Sequence, residues 1–323
     1  MNAAPRQIVI LDAGYVSYQF EMDIFENAGY SLLIYDGDPD DLKAKTAFAA
    51  NAAGVLVRGT KIDEAFFRRT PHLKALVRYG VGYDNVDISA ATAFGVRVAN
   101  VQGYGNHSVS DHALALIYAS VRGLGTSPCS FSETFSKPPR NDIFELHDKI
   151  LGIVGLGRIG SHLAQKAENL FGHIIAVDPY KSADYFTALH VGRVDLDSLL
   201  QQSHVISIHC NLTRETRHLM DHQAFSQMQN RPVLVNTARG PVVDSKALLQ
   251  ALDSDQIHSA ALDVFETEPP GALEVSLANH PKVLTTGHCA WYSDEASRQL
   301  QRRAANNLLG LLKGEDVEDL LNP

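Results

Sequence analysis

The stretch Ile150-Leu151-Gly152-Ile153-Val154-Gly155-Leu156-Gly157-Arg158-Ile159-Gly160 decides the fold of this chain. Its apolar first half predicts a buried parallel strand, and the apolar spacing over Ser161–Phe171 predicts a helix directly after the glycines. Gly155 permits a tight turn, Gly157 lets a pyrophosphate approach the backbone, and Gly160 allows close packing of helix on strand. A strand, a glycine turn and a helix in this order predict a dinucleotide site at the helix N-terminus.

A carboxylate at the end of the next strand indicates which dinucleotide is bound. The apolar run Ile174–Val177 predicts that strand, and Asp178 follows it, about 20 residues past the glycines. A carboxylate at this point accepts hydrogen bonds from the adenosine ribose hydroxyls and repels a 2′-phosphate. We therefore expect the cofactor to be NAD rather than NADP.

Composition and charge narrow the class of protein. The chain has 323 residues, of which 45% are hydrophobic and 20% charged, and its net charge is −9. This charge disfavours nucleic acid and anionic membranes as partners. No apolar run approaches the length of a membrane span, the first residues do not form a signal peptide, and the three cysteines show no metal-type spacing. We expect a cytoplasmic protein with reduced thiols and no metal.

About half of the chain precedes the glycine motif, so another domain must come first. Short apolar runs alternate with helical patterns over residues 7–100, which is typical of a parallel sheet covered by helices. The apolar stripe of Ser293–Lys313 predicts a C-terminal helix that packs back on this first domain. We therefore predict an α/β fold with two Rossmann-like or flavodoxin-like parallel-sheet domains. The substrate domain comprises residues 1–100 with 294–323, and the NAD-binding domain, 101–293, is inserted into it.

Residues 122–147 are poorly patterned and rich in Ser, Pro and Phe. A loop of this length in a compact domain is usually functional or reaches a neighbour. Two interpretations stay open, a plain surface loop and an arm that makes a subunit contact. With the helix before it, such an arm predicts a homodimer, since closed two-fold symmetry is the commonest oligomer.

Three later strands are each followed by chemically active side chains. Arg239 follows the strand predicted at Val233–Asn236, the acids of 263–268 follow the next strand, and His288 follows the last. Ligands in open α/β sheets bind at the carboxyl ends of the strands. These side chains should therefore converge at the nicotinamide end of the cofactor, although an ordinary ion-pair network would use the same residue types.

The sequence resembles the D-isomer-specific 2-hydroxyacid dehydrogenases over nearly its whole length. The segment His288-Cys289-Ala290-Trp291-Tyr292-Ser293 resembles the branch that contains the C-terminal binding proteins. The resemblance is carried by the glycine motif together with His209-Cys210-Asn211-Leu212-Thr213, Asn236-Thr237-Ala238-Arg239-Gly240, Asp263-Val264-Phe265-Glu266-Thr267-Glu268-Pro269 and His288.

The resemblance implies a catalytic set of Arg239, Glu268 and His288. Arg239 offers a planar fork that matches the carboxylate and keto oxygens of a 2-keto acid. His288 would donate a proton to the ketone and accept one from the alcohol, and the charge of Glu268 would favour the protonated imidazole. The expected reaction is reversible hydride transfer between NADH and a 2-keto acid.

The remaining site residues divide into two groups. The substrate group is Arg78, Val81, Gly82, Arg239 and Trp291, in which Arg78 is either a second positive charge or a loop anchor, and Trp291 either a pocket wall or a core residue. The cofactor group is Gly155, Gly157, Arg158, Ile159, Gly160, Asp178, Cys210, Asn211, Thr216, Thr237, Ala238 and Asp263, the last on the nicotinamide carboxamide.

A second function remains open beside the dehydrogenase. A protein of the C-terminal binding protein type is an NAD(H)-sensing scaffold that binds short peptides as a corepressor. The intact set of Arg239, Glu268 and His288 favours the enzyme. Neither the particular 2-keto acid nor the preferred direction of the reaction follows from the sequence.

Overall fold

The computed structural model describes residues 6–124 and 142–323. The chain divides into two compact units, of which unit 1 is Met1–Tyr104 with Ser293–Pro323 and unit 2 is Gly105–Tyr292. The sequence placed these boundaries at residues 100 and 294. Each unit is built on one parallel sheet, so the predicted α/β class with two parallel-sheet domains is confirmed.

The strands and helices alternate along the described chain. The strands are β1 (Gln7–Ile10), β2 (Ser31–Ile34), β3 (Gly54–Val57), β4 (Ala75–Arg78), β5 (Arg97–Ala99), β6 (Ile150–Val154), β7 (His173–Val177), β8 (Gly192–Arg193), β9 (Val205–Ile208), β10 (Val233–Asn236), β11 (Ser259–Leu262) and β12 (Val283–Thr285). The α-helices are α1 (Gln19–Asn27), α2 (Leu42–Phe48), α3 (Glu64–Arg69), α4 (Ile88–Ala93), α5 (Asn106–Arg122), α6 (Arg158–Ala167), α7 (Ala183–Ala188), α8 (Leu196–Gln202), α9 (His222–Ser226), α10 (Ser245–Asp253), α11 (Ala272–Ala278) and α12 (Asp294–Lys313), with a 3₁₀ turn at Gly240–Val242.

Unit 1 contains a sheet in the order β2-β1-β3-β4-β5, with all pairs parallel. The C-terminal helix α12 packs on β3 and β4 and against α1. A side chain at Gly54 would come within 3.2 Å of the Leu308 and Leu312 side chains, so the helix lies close against β3. The chain therefore returns to its first unit at its C-terminal end.

Unit 2 contains a seven-stranded sheet in the order β12-β11-β10-β9-β6-β7-β8, also parallel throughout. Buried apolar side chains form a core on each of its faces. The strand order reverses at β6: β7, the next strand along the chain, lies on one side of β6, and β9 lies on the other. This switch point is where open parallel sheets bind ligands.

Two details differ from the sequence-based expectation. Helix α6 begins at Arg158 and not at Ser161, because Gly157 is its N-terminal cap and the last glycine lies inside the first turn. Strand β8 has only two residues, Gly192 and Arg193, and both are exposed. A strand this short has no apolar alternation from which it could be predicted.

The predicted subunit arm, 122–147, lies largely outside the described residues, because the structure describes only residues 122–124 and 142–147 of it. The homodimer therefore stays a prediction. In the part of the chain that is described, none of the helices combines the length and the hydrophobicity needed to cross a lipid bilayer.

A buried carboxylate orders the carboxyl edge of the unit 1 sheet. Asp12 accepts hydrogen bonds from the backbone N–H groups of Arg58, Gly59 and Thr60, from the Thr60 hydroxyl and from the Lys45 ammonium at 2.7 Å. The Asp12 and Lys45 side chains are 10% and 5% exposed. Burial raises the pKa of Asp12, but the hydrogen bonds from Lys45 and Thr60 outweigh it and hold the pKa well below its usual range.

We expect Asp12→Asn to lower the free energy of unfolding by about 3 kcal/mol at pH 7, because it leaves the buried Lys45 ammonium without its counter-charge. Since the folded-state pKa of Asp12 is lowered, its contribution is complete above the unfolded-state value of 3.8 and is lost as pH falls through the folded-state value. Urea unfolding of wild type and variant at pH 7 and pH 3 measures this. Asp36→Asn, an exposed acid at the same sheet edge, is the control. An equal midpoint for wild type and Asp12→Asn at pH 7 would contradict it.

Candidate active site

The glycine turn after β6 is shaped so that two of its positions accept no side chain. Gly155 has a φ of 93°, and a Cβ there would lie 2.7 Å from the backbone nitrogen of Cys210. A Cβ at Gly160 would lie 2.2 Å from the carbonyl oxygen of Gly155. These contacts bring β6, α6 and the end of β9 close together around the turn.

The middle glycine of the turn faces open space. A Cβ at Gly157 would have no described atom within 4 Å, so it would project into the space beside the N-terminus of α6. Arg158 and Ile159 are the first residues of that helix, whose first-turn N–H groups and dipole favour an anion. This cradle fits the pyrophosphate of a dinucleotide.

Asp178 lies directly beside the glycine turn. Its half-buried carboxylate accepts a hydrogen bond from the Leu156 N–H at 2.9 Å and another from the Tyr180 N–H at 2.9 Å. A carboxylate has about four acceptor positions, so it can still accept from ribose hydroxyls. The structure thus brings Asp178 to the cradle that the sequence predicted it would serve.

The segment after β9 borders the same turn. Burial raises the pKa of the Cys210 thiol to about 11, so it stays protonated at neutral pH and is suited to a passive wall. The Thr216 hydroxyl donates to the carbonyl oxygen of Asn211 at 2.6 Å and accepts from the Thr213 N–H at 2.7 Å. Thr216 therefore shapes the loop by its own side chain.

Asn236 organises the turn that carries Arg239. It is buried at the end of β10, donates to the carbonyl oxygen of Arg239 at 3.0 Å and accepts from the Ala238 N–H at 3.0 Å. Sequence reasoning did not single out Asn236, although an asparagine that ends a strand just before a turn is a signal for such a bridge. Beside it, the buried Thr237 hydroxyl has no partner among the described residues and is available to a polar ligand.

A backbone contact places Arg239 next to the acidic loop. A Cβ on Gly240 would lie 1.7 Å from the carbonyl oxygen of Phe265, so the two backbones touch and only glycine fits. The half-buried guanidinium of Arg239 donates to the carbonyl oxygen of Ala238 at 2.8 Å, and its charge helps to lower the pKa of Glu268.

His288 and Glu268 form a close pair. The Nδ1 atom of His288 lies 2.7 Å from Oε2 of Glu268, and their side chains are 39% and 38% exposed. The other oxygen of Glu268 accepts from the Phe265 N–H at 3.1 Å. Burial raises the pKa of Glu268, but the hydrogen bond and charge of His288 outweigh this effect and lower the pKa below its usual value. The carboxylate is therefore ionised at neutral pH.

Asp263 fastens the loop that carries His288. Its carboxylate, 1% exposed, accepts from the Thr286 hydroxyl, from the Cys289 N–H at 2.9 Å and from the Ala290 N–H at 3.1 Å. Its backbone carbonyl accepts from the His288 N–H at 2.7 Å. His288 itself has a φ of 53°, a conformation that non-glycine residues rarely adopt. Asp263 thus positions the imidazole, a role the sequence did not indicate; its predicted contact with the carboxamide stays a prediction.

Trp291 is half-buried and is not a fully buried core residue. Its indole N–H donates to the carbonyl oxygen of His288 at 3.1 Å, and its ring makes an edge contact with Tyr292 at 5.6 Å between centroids. The indole therefore supports the backbone of the histidine and leaves part of its face exposed.

The predicted substrate loop of unit 1 is held by its own side chains. The Arg78 guanidinium donates to the carbonyl oxygen of Tyr79 at 2.7 Å and covers Gly80, whose φ is 120°. Asn100 donates to the carbonyl oxygen of Val81 at 2.6 Å. Arg78 thus anchors the loop, while Val81 is exposed and Gly82 half-exposed; their contact with substrate stays a prediction.

Known proteins resemble this chain over most of its length. Residues 114–290 match the family model described as D-isomer specific 2-hydroxyacid dehydrogenase, NAD binding domain. The chain is 36% identical over 286 residues to D-3-phosphoglycerate dehydrogenase of Mycobacterium tuberculosis, covering 88% of this chain and 54% of that protein. It is 35% identical over 267 residues to glyoxylate reductase of Korarchaeum cryptofilum, covering 81% and 80%. The chain spans about half the length of the phosphoglycerate dehydrogenases that it matches.

Solved structures share the fold. D-lactate dehydrogenase from Aquifex aeolicus, solved with NAD and lactic acid, has a TM-score of 0.85 and 26% identity, with 96% of each chain covered. The NAD-binding domain expected from the glycine motif is confirmed by the family model, and NAD is the cofactor. The resemblance to the C-terminal binding proteins in particular stays a prediction.

We expect NADH to be preferred over NADPH by at least roughly tenfold in kcat/KM, because Asp178 opposes a 2′-phosphate. Asp178→Asn should narrow this preference, since it removes the charge but keeps an acceptor for the Leu156 N–H. Steady-state kinetics with both cofactors measures the ratio, and Asp184→Asn, an exposed acid of the same unit, serves as the control. Equal use of NADH and NADPH by the wild type would refute the role of Asp178.

Proposed function

The chain belongs to the D-isomer-specific 2-hydroxyacid dehydrogenase family, and from this premise we propose that it interconverts a 2-keto acid and the corresponding D-2-hydroxy acid with NADH or NAD⁺. The observation that carries the proposal is the pairing of His288 with Glu268 at 2.7 Å, next to the turn of Arg239. In this arrangement the proposed proton donor follows β12, its carboxylate partner follows β11, and the proposed carboxylate-binding cation follows β10.

Three features fit NAD: the cradle at Gly157, the Asp178 carboxylate beside it, and the Thr237 hydroxyl, which has no partner among the described residues. Bound NADH supplies the hydride that reduces the ketone carbon. The other cofactor contacts that we propose are Ile159, Cys210, Asn211, Thr216, Ala238 and Asp263. These groups would hold and orient the cofactor, and none of them needs to change its protonation state.

Proton transfer is assigned to His288. Its Nδ1 atom faces Glu268, which leaves Nε2 as the nitrogen that exchanges a proton with substrate oxygen. The ionised Glu268 stabilises the imidazolium of His288, which then donates its proton to the developing alkoxide. In oxidation the neutral imidazole accepts the hydroxyl proton instead.

We propose that Arg239 binds the substrate together with Val81, Gly82 and Trp291, and that Arg78, besides anchoring its loop, adds a second positive charge. The guanidinium of Arg239 can hold the carboxylate and polarise the keto oxygen at once, because its planar fork presents two parallel donors. Orientation by such a clamp brings the ketone carbon to the hydride donor and the ketone oxygen to His288.

The substrate class follows from what the related enzymes have in common. Phosphoglycerate, glyoxylate and lactate, named in the relatives, share a carboxylate next to the carbon that changes oxidation state. The proposal is tested by NADH oxidation with a panel that runs from glyoxylate and hydroxypyruvate to phenylpyruvate and 4-methylthio-2-oxobutyrate. At least one 2-keto acid should be reduced, and the Arg239→Lys variant should lose most of that activity. Failure with every member of the panel would contradict the proposal.

We also propose that the protein is a cytoplasmic homodimer. Support comes from the acidic composition, the few scattered cysteines and the frequency of two-fold assemblies. Light scattering at micromolar concentration should give twice the chain mass of 35.3 kDa. A mass equal to that of a single chain would refute the dimer.

Two substitutions test the assignment of the proton donor and its partner. Glu268→Gln keeps a hydrogen bond to the imidazole but removes the negative charge beside it, so we expect it to lower kcat/KM for ketone reduction at pH 7. His288→Ala should lose roughly a hundredfold or more in rate.

Glu266→Gln provides the matched control for this measurement. Glu266 lies on the same loop but pairs with His218 at 2.5 Å and with the Ser245 N–H at 3.1 Å. Its neutralisation should leave kcat/KM for ketone reduction unchanged. Equal kcat/KM for wild type and Glu268→Gln would show that Glu268 does not act on His288.

A further inference from the structure

A cluster of three different metal-binding side chains lies beside the histidine loop in unit 2. One ring nitrogen of His112, a carboxylate oxygen of Asp263 and Sγ of Cys289 all lie within 4.8 Å of one another. They come from helix α5, the end of β11 and the loop after β12. The sequence shows no metal-type spacing here, since the ligands are brought together only by the fold.

We propose that His112, Asp263 and Cys289 form a binding site for Zn²⁺, or for another divalent cation that prefers nitrogen and sulfur ligands, and that the cation competes with the nicotinamide cofactor at Asp263. The competition rests on the proposed function, in which Asp263 contacts the cofactor. The metal site itself rests only on the geometry of the three side chains.

The ligand set and spacing suit zinc. An imidazole, a carboxylate and a thiolate are the three ligand types that Zn²⁺ takes in proteins, at about 2.0–2.3 Å. Tetrahedral geometry at those lengths separates the ligand atoms by about 3.3–3.8 Å. Nε2 of His112 already lies 3.7 Å from Oδ1 of Asp263, so small side-chain movements would bring all three ligand atoms to these separations.

The three ligands differ in solvent exposure in a way that would let a cation reach a buried carboxylate. Asp263 is 1% exposed and His112 is 24% exposed, whereas Cys289 is exposed. A cation can therefore enter from the side of the cysteine, and a water molecule can fill the fourth position. On binding, the thiol gives its proton to the buffer, and the cation offsets the buried charge of Asp263.

The same ligands explain why bound metal should inhibit. His112 now lies 3.1 Å from the Thr286 hydroxyl, which in turn donates to Asp263. A cation on Oδ1 of Asp263 must displace that hydroxyl and pull on Cys289, the residue next to His288. It also occupies the carboxylate that the proposed function gives to the nicotinamide carboxamide.

The metal site is tested by binding, without any turnover. The chelator-treated chain should take up about one Zn²⁺ in equilibrium dialysis, and Co²⁺ should give a thiolate-to-cobalt charge-transfer band. Cys289→Ala should abolish the band. His112→Asn, which can still hydrogen-bond Thr286, should weaken Zn²⁺ affinity by more than about tenfold, because loss of even an outer-shell partner costs that much. Cys210→Ala, which removes the other described thiol, should keep both band and affinity.

A band that survives in Cys289→Ala, or a wild type that binds Zn²⁺ no more tightly than this variant, would overturn the site. The competition has its own readout. NADH should weaken the apparent Zn²⁺ affinity of the wild type, and Zn²⁺ affinity unchanged by NADH would overturn the competition. Should no 2-keto acid be reduced while the cobalt band depends on Cys289, the proposed function fails and the metal site stands.

Discussion

The active region depends on the burial of one carboxylate, that of Asp263. A buried charge is costly unless hydrogen bonds replace its lost water, and here the replacements are the Thr286 hydroxyl and the N–H groups of Cys289 and Ala290. The loop on both sides of His288 is therefore fixed, because any relaxation would leave the charge uncompensated. The positive φ of His288 is maintained by the same bonds.

Sheet register brings the remaining groups to this anchor. Asn236 of β10 lies opposite Leu262 of β11, which lies opposite Thr285 of β12, so three neighbouring strands end at one level. Arg239, Glu268 and His288 follow those ends within a few residues. Asn236 then fixes the first turn through both atoms of its amide, and Gly240 lets that turn touch the backbone of the acidic loop. Each functional side chain thus stands on a rigid strand end and a hydrogen-bonded turn, which is the preorganisation that catalysis requires.

Local patterns predicted the parts of this molecule that depend on local chemistry. The strand and glycine turn of 150–160 and Asp178 follow from period and spacing, and the family motifs drew attention to Arg239, Glu268 and His288. What the sequence could not indicate are bonds between distant residues. The loop of Arg58 closes on Asp12 and Lys45, and His112 reaches Thr286 across 174 positions, although neither contact has a motif. Strand β8 was missed for the opposite reason, since two exposed residues carry too little pattern to be recognised.

The dependence of the histidine loop on Asp263 is tested most directly by amide hydrogen exchange resolved at Cys289 and Ala290. In the wild type both N–H groups should be protected, since each donates to the buried carboxylate. In Asp263→Ala they should exchange at least about tenfold faster, because losing a hydrogen bond to a charged group costs about 1.5–3 kcal/mol, while amides of β11 keep their protection. Unchanged exchange at Cys289 and Ala290 in that variant would show that the loop is held by something other than Asp263.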